Sequence, residues 1–266
     1  MMISQSGALR QDFRAHFSVS LIPIVFGVFL ALSIHARAGE PGKTIPDLSQ
    51  TPLELKPYAT AIGQRLQKPG RERITATGTI LYQTDSLQQA EPLRVTWQHP
   101  LKIRLEKGGN DQIFDRNNPA QSLHGNQTPS DTVQMLLEDS IEGFFALQKG
   151  RIARRYLGSG FILEGAKETD PAVDIVQMTF PDTFRQGQPI LKSYWFNSRT
   201  KLLGVVAYKS TSGVLTHIVI DDWRDVEGEK IPFRIERWEN NKLAMQLTLD
   251  SATISAGTDG GSLGGN

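Results

Sequence analysis

The chain has 266 residues, a formal net charge of +1 and a hydrophobic content of 39%. These values fit a globular protein of one large domain or two small ones, and a charge so near zero argues against a nucleic-acid-binding surface. The sequence contains no cysteine. Disulfides, thiolate metal sites, cysteine nucleophiles and the lipid-modified N-terminal cysteine of a bacterial lipoprotein are therefore excluded.

The N-terminal part of the chain has the order of a secretory signal peptide. Arg10 and Arg14 precede the apolar run FSVSLIPIVFGVFLALSI, and an A-x-A cleavage sequence follows and ends at Ala38. We predict that residues 1–38 are removed and that the mature, soluble protein begins at Gly39 in the periplasm. A retained membrane anchor stays open as an alternative, since the apolar run is close to the shortest length that spans a bilayer.

The two ends of the mature chain are predicted to contribute little to the folded core. Residues 39–56 are rich in proline and glycine and are typical of a flexible leading segment, whereas residues 256–266 are glycine-rich and predicted to be disordered. A single domain is expected over residues 57–255. It begins with a short amphipathic helix in YATAIGQRLQK, where Tyr58 and Ile62 recur at helical spacing.

Most of the domain follows the two-residue period of β-strands. The predicted strands are RITATGTILYQ, PLRVTWQ, LKIRLEKGG, DQIFDRNN, VDIVQMTF, LKSYWFN, KLLGVVAYK, VLTHIVIDDW, IPFRIERW and KLAMQLTLDSATI. Short connections with turn residues, such as Asn240-Asn241, join several of them, and strands joined by short turns run antiparallel. The sequence therefore predicts a mainly β protein with a few helices, of the α+β class.

One segment, SDTVQMLLEDSIEGFFALQKG, breaks the strand pattern because its apolar residues recur at helical spacing. The predicted apolar stripe of this helix is Val133, Leu136, Leu137, Ile141, Phe144 and Phe145. The strand residues predicted to face it are Val95, Trp97, Ile103 and Phe196. A curved antiparallel sheet encloses a hollow, so this helix either completes an ordinary core or forms a lid over a lipid-sized cavity. Both interpretations stay open at this point.

An acidic stretch, IDDWRDVEGEKIPFRIERW, is the strongest candidate for a catalytic site. Its acids are interleaved with basic residues around a Glu227-Gly228 turn, as is expected for charge pairs on a hairpin. A catalytic carboxylate pair needs two acids in different environments, which this arrangement does not suggest. The histidines of the mature chain lack the spacing of metal ligands. We predict a sheet corner, with no catalytic residue, metal site or cofactor.

Several motifs together resemble the outer-membrane lipoprotein carrier and receptor superfamily, the LolA/LolB-like proteins and their lipoprotein-sorting-like members. They are the strand WQHPLKIRLEKGG, the hairpin Trp195–Leu203 (WFNSRTKLL) and the run Asp222–Ile235 (DWRDVEGEKIPFRI). The resemblance implies an incomplete antiparallel β-barrel, a half-barrel wrapped around the apolar lid helix, which binds acyl chains in its hollow. The chain departs from the carrier at His99, where the carrier has an arginine tied to cargo release, and from the receptor in lacking its lipid-bearing cysteine.

Three hypotheses about function follow. In the first, the protein is a periplasmic carrier or sensor that binds an acylated or lipidic ligand in the apolar cavity. The ligand is a lipid or an acylated protein. A role in lipoprotein sorting and transient contact with a membrane surface belong to this hypothesis. In the second, the half-barrel is a structural or interaction protein that binds another protein of the cell envelope. In the third, it is a hydrolase that uses surface carboxylates, which the acidic hairpin disfavours.

Overall fold

The computed structural model describes nine stretches of the chain, all within one compact unit formed by Thr44–Phe161 and Pro171–Asn266. They are residues 55–66, 72–83, 88–98, 102–115, 131–147, 153–161, 172–180, 190–210 and 212–256. The predicted signal peptide, its cleavage site, His99 and residues 257–266 lie outside these stretches. Within them, no helix has the length and apolar content needed to cross a membrane.

The strands of the described chain form one antiparallel sheet of eleven strands. Their bounds are β1 Glu72–Gln83, β2 Gln88–Gln98, β3 Lys102–Lys107, β4 Asn110–Asp115, β5 Ala153–Phe161, β6 Val173–Phe180, β7 Ile190–Asn197, β8 Leu203–Lys209, β9 Leu215–Val226, β10 Glu229–Glu239 and β11 Lys242–Ala256. The order in the sheet is β4-β3-β2-β1-β11-β10-β9-β8-β7-β6-β5. Strands β4 and β5 stand at the two edges, so the described sheet is open. The predicted mainly β, half-barrel class is confirmed.

The two-residue alternation places one face of the sheet in the core. On β1, Ile74, Ala76 and Ile80 belong to the buried apolar cluster, while the intervening threonines lie on the other face. Trp97 of β2 stands opposite Ile74 in register, and Ile103 of β3 stands opposite Trp97, so the same face continues from strand to strand. We call this apolar side the core face of the sheet.

Two tight hairpins set the register at one end of the chain. Glu227-Gly228 connects β9 to β10 with φ angles of 50° and 87°, and Asn240-Asn241 connects β10 to β11 with φ angles of 47° and 65°. Positive φ at both central residues is typical of the two-residue hairpins whose twist matches that of the strands. Both positions agree with the turns expected from the sequence.

The helical elements differ from the prediction in length and continuity. Helix α1 spans Lys56–Ala61 and ends early, because Gly63 adopts a φ of 103°. The predicted lid is not one helix. It consists of α2 (Asp131–Val133), a π-helical turn (Gln134–Glu138) and α3 (Ile141–Leu147). We call residues 131–147 the helical segment.

The break in the helical segment has a local cause at Ser140. The Ser140 hydroxyl donates to the Leu137 carbonyl at 2.9 Å and accepts the N–H of Gly143 at 3.0 Å, which starts α3 anew. Gly143 is required here, since a Cβ atom would lie 2.3 Å from the Leu137 carbonyl oxygen. The apolar stripe therefore reaches the sheet from two short helical pieces.

Candidate functional site

The predicted apolar site residues meet in the interior of the protein. Five of the six stripe residues are buried in the same cluster as the strand residues predicted to face them: Val133, Leu136, Leu137, Ile141 and Phe144 lie with Val95, Ile103 and Phe196. Trp97 and Phe145 are partly buried and pack at the border of this cluster. The structure thus brings together the residues for which the sequence predicted a shared hollow. Their binding of a ligand stays a prediction.

The centre of this interior is aromatic. The ring centroid of Phe144 lies 4.9 Å from that of Tyr194 and 5.1 Å from that of Phe196, and Tyr58 of α1 contacts Phe196 at 4.8 Å. Tilted and edge-to-face rings at these distances add to the stabilisation from burial. In this conformation the helical segment fills the hollow with its own side chains. Tyr58 and Tyr194 were not among the predicted site residues.

The helical segment is attached to the sheet through side chains. Among the described residues, its backbone hydrogen bonds outside regular helix include those from Asp139 to Gln134 and from Phe144 to Ser140, and both lie within the segment. One described contact to the sheet is a hydrogen bond between the hydroxyl groups of Thr132 and Tyr82 of β1, which lie 3.0 Å apart. The strands, in contrast, are joined by backbone ladders. Separation of the segment would therefore leave the described ladders of the sheet intact.

A charged cluster lies between the helical segment and the core face. Lys192 of β7 donates to the Asp139 carboxylate at 2.5 Å, and the Tyr208 hydroxyl of β8 donates to its other oxygen at 3.0 Å. The Lys192 ammonium also stands 4.7 Å from the centre of the Tyr208 ring. All three residues are buried, Asp139 completely. The sequence pattern did not predict this cluster, because an aspartate beside another acid between two helical turns resembles a surface residue.

A second buried cluster ties the loop after α1 to the rest of the fold. The Arg65 guanidinium, with 2% of the side chain exposed, lies 3.0 Å from Glu229 Oε2 and 2.7 Å from Glu142 Oε1 of α3. It also donates to the Lys230 carbonyl at 2.9 Å, while the other oxygen of Glu229 accepts the Gln64 N–H at 2.6 Å. We call this the Arg65 clamp. Glu229, which was expected among the surface acids of the hairpin, is therefore a buried partner.

A third cluster joins the WFNSRTKLL hairpin to β6 and α1. Asp174 of β6 accepts hydrogen bonds from Tyr58 at 2.7 Å, Ser198 at 2.5 Å and Lys201 at 2.8 Å. Burial alone would raise the pKa of this carboxyl group, but its hydrogen bonds to Lys201, Ser198 and Tyr58 outweigh burial and lower the pKa. Asp174, which Ser198 and Lys201 of the hairpin bind, thus anchors α1 through Tyr58, and Glu229 of the acidic run anchors the loop that follows α1.

Two further acids of the acidic hairpin form surface ion pairs. Asp222 contacts Arg224 at 2.6 Å and Asp225 contacts Lys230 across the strands at 3.2 Å. A hydrogen bond from the Gly228 N–H lowers the pKa of Asp225, with Lys230 acting in the same direction. In the part of the chain that the structure describes, no group of three or more histidine, aspartate or glutamate side chains is placed to hold a metal ion. These contacts fit the predicted sheet corner.

A separate open groove of about 650 Å³ lies on the other face of the sheet. Thr77, Arg94, Glu106 and Asp111, which are paired across β1 to β4, line it together with Arg104. Arg104 is bound to Asp111 at 2.6 Å, so part of the lining charge is already paired. None of the predicted site residues lines this groove.

Comparison with solved structures finds similar backbones at low sequence identity. A domain described as an outer membrane lipoprotein-sorting protein from Vibrio parahaemolyticus has a TM-score of 0.47 and 9% identity, over 74% of this chain and 92% of that one. A LolA superfamily protein from Nitrosomonas europaea has a TM-score of 0.42 and 15% identity, over 75% and 90%. A DUF1329 family protein from Desulfovibrio piger has a TM-score of 0.43 and 8% identity, over 75% and 90%.

No protein-family model matches the chain, and no curated protein matches it. Two of the structural matches bear names of the lipoprotein-sorting group that the sequence motifs resemble. At these TM-scores the likeness assigns no ligand, partner or role to this chain.

Proposed function

We propose that this protein is an exported periplasmic carrier or sensor that binds the acyl chain of a lipidic or acylated ligand between the helical segment and the core face of the sheet. The ligand would replace contacts that the stripe residues Leu137, Ile141 and Phe144 make in the present conformation. Signal-peptide cleavage after Ala38 and a place in lipoprotein sorting, with transient contact to a membrane or an envelope protein, belong to the same proposal.

The observation that carries this proposal is the way the helical segment is held. A broken, largely apolar segment covers the aromatic centre of an open sheet and is attached through side chains such as Asp139 and Glu142. Segments without backbone ladders to their neighbours open at a lower free energy than the core strands. An acyl chain that enters gains roughly 0.8 kcal/mol for each methylene removed from water, which offsets the packing that the segment gives up when it moves away.

Native mass spectrometry of the protein purified from an exporting host tests this function. The expected result is a population whose mass exceeds that of the polypeptide by the mass of a lipid, and which loses that mass on collisional activation. Leu137→Glu, which places a charge in a position 3% exposed, should abolish the bound population. The matched control is Leu191→Glu, at a leucine 42% exposed, which should retain it.

Wild-type protein without bound lipid, which also fails to take up an added acyl probe, would contradict the proposal. That result would favour the alternative in which the half-barrel only presents a surface to an envelope protein.

A further inference from the structure

Stability alone does not explain the buried charges between the helical segment and the sheet. Lys192 and Asp139 are 3% and 0% exposed and form an ion pair within an apolar cluster. Removing two charges from water costs several kcal/mol per ion in real proteins, and a pair of apolar side chains often stabilises such a position as well or better. The position of this pair, rather than its energy, therefore needs an explanation.

The cation of the pair belongs to the sheet, and its anion belongs to the helical segment. Lys192 and Tyr208 stand directly opposite each other on β7 and β8, and Thr216 of β9 stands opposite Tyr208. Residues opposite each other in an antiparallel pair project from the same face, so these three side chains form one row across three strands. We call them the polar row. Asp139 comes from the junction between the π-helical turn and α3.

Thr216 provides a second, independent observation. Its side chain is 1% exposed, and its hydroxyl has no hydrogen-bond partner among the residues that the structure describes. A buried hydroxyl without a partner is unfavourable and is uncommon in native proteins. It adds a hydrogen-bonding group to a row that already carries an ammonium and a phenol hydroxyl.

The polar row is bordered by apolar residues on β6, β7 and β8, while Glu239 of β10 stands opposite Thr216 at its other end. Met178 stands opposite Lys192 on the other side, and Tyr194 and Val206 follow two residues along β7 and β8 on the same face. All three are fully buried. A cation and two hydroxyl groups at one point of an apolar surface match a ligand with one anionic group and a hydrocarbon chain.

We propose that the polar row is the head-group site for an anionic single-chain lipid, a fatty acid, whose carboxylate takes the place of the Asp139 carboxylate. This inference rests on the proposed function and deepens it. When the helical segment moves away, Asp139 leaves with it, and Lys192 remains on the core face. The carboxylate of the ligand then accepts the hydrogen bonds of Lys192 and Tyr208. The hydrocarbon chain lies along the surface that Phe144 now covers.

Competition binding to the full mature chain tests the head-group site. Palmitate and hexadecanol, which differ in the head group, each displace a neutral fluorescent acyl probe. Since hydrogen bonds between charged groups are stronger than neutral ones, palmitate should bind at least about ten-fold more tightly than hexadecanol. Lys192→Met should lower the affinity for palmitate much more than that for hexadecanol and so remove this preference. Asp139→Asn, which removes the internal competitor, should raise the affinity for palmitate.

Two controls keep the test decisive. Lys209→Met changes an exposed lysine next to Tyr208 and should keep the preference for palmitate. If Lys192→Met does not fold because the Asp139 charge is then buried without its cation, the double variant Asp139→Asn/Lys192→Met removes both charges and should bind both lipids equally.

Equal affinities in the wild type, or a preference that survives loss of Lys192, would overturn the head-group site while the lipid-binding function stands. Binding of neither lipid would instead contradict the proposed function itself.

Discussion

Replacing Arg65 with methionine should destabilise the protein strongly, because the Arg65 clamp joins three distant parts of the chain. The substitution leaves Glu229, 6% exposed, without its cation and leaves the Lys230 carbonyl without a donor. Glu142, 23% exposed, stays within reach of water. Breaking a buried ion pair by removal of one partner costs about 3–5 kcal/mol. For a domain of this size, a loss of that magnitude lowers the melting temperature by roughly 6–20 °C.

Urea unfolding followed by circular dichroism measures this loss directly. The matched control is Lys230→Met, since Lys230 is 39% exposed and forms a surface ion pair with Asp225. That change should cost less than about 1 kcal/mol. The double variant Arg65→Met/Glu229→Gln removes the stranded charge but retains an acceptor for the Gln64 N–H, so it should recover part of the loss. A cost for Arg65→Met no larger than that of the control would refute the clamp.

Four further variants test the packing of the core, one buried histidine and the close approach of two strands. Phe144→Ala should cost about 3–5 kcal/mol in urea unfolding, whereas Leu191→Ala, at an exposed position, should change stability by less than about 0.5 kcal/mol. Burial lowers the pKa of His217 from 6.5 to about 4. Between these two pH values the unfolded chain binds a proton that the folded chain does not, so the free energy of unfolding falls as the pH drops from 6.5 to about 4. The loss should approach about 3 kcal/mol, and unfolding curves of His217→Leu at several pH values should show a flatter dependence. Gly78→Ala should cost about 1–3 kcal/mol in the same assay, because its Cβ would lie 2.1 Å from the Thr248 carbonyl oxygen; an unchanged stability would show that the strands can separate there.

The sheet was the most predictable part of this protein, because local alternation and turn chemistry decide it. The two-residue period located most strands, and the turns at Glu227-Gly228 and Asn240-Asn241 contain glycine or asparagine, which tolerate positive φ. The predicted stripe and its facing strands also meet, since apolar residues on one face of each element must share a core.

The charged interior was not predictable from local patterns. The partners Asp139 and Lys192 are 53 residues apart in sequence, and Arg65 and Glu229 are 164 apart, so only the three-dimensional fold brings them together. In the sequence, Asp139 resembles a solvent-facing acid on a helix and Glu229 resembles one more charge of an acidic hairpin. The helical break at Ser140 was missed for a related reason, because the spacing of apolar residues does not indicate where a π-helical turn interrupts a helix.

Photo-crosslinking with a diazirine-bearing fatty alcohol tests the central claim most directly, because it reports where on the protein an acyl chain binds. After irradiation of the mature protein, proteolysis and mass spectrometry locate the crosslinked residues. We expect crosslinks within the helical segment and on β2, β3 and β7, at core-face positions such as Ile103 and Phe196, with suppression by excess hexadecanol. Crosslinks confined to the open groove around Arg94 and Glu106, or no saturable crosslink at all, would contradict an acyl-binding site beneath the helical segment.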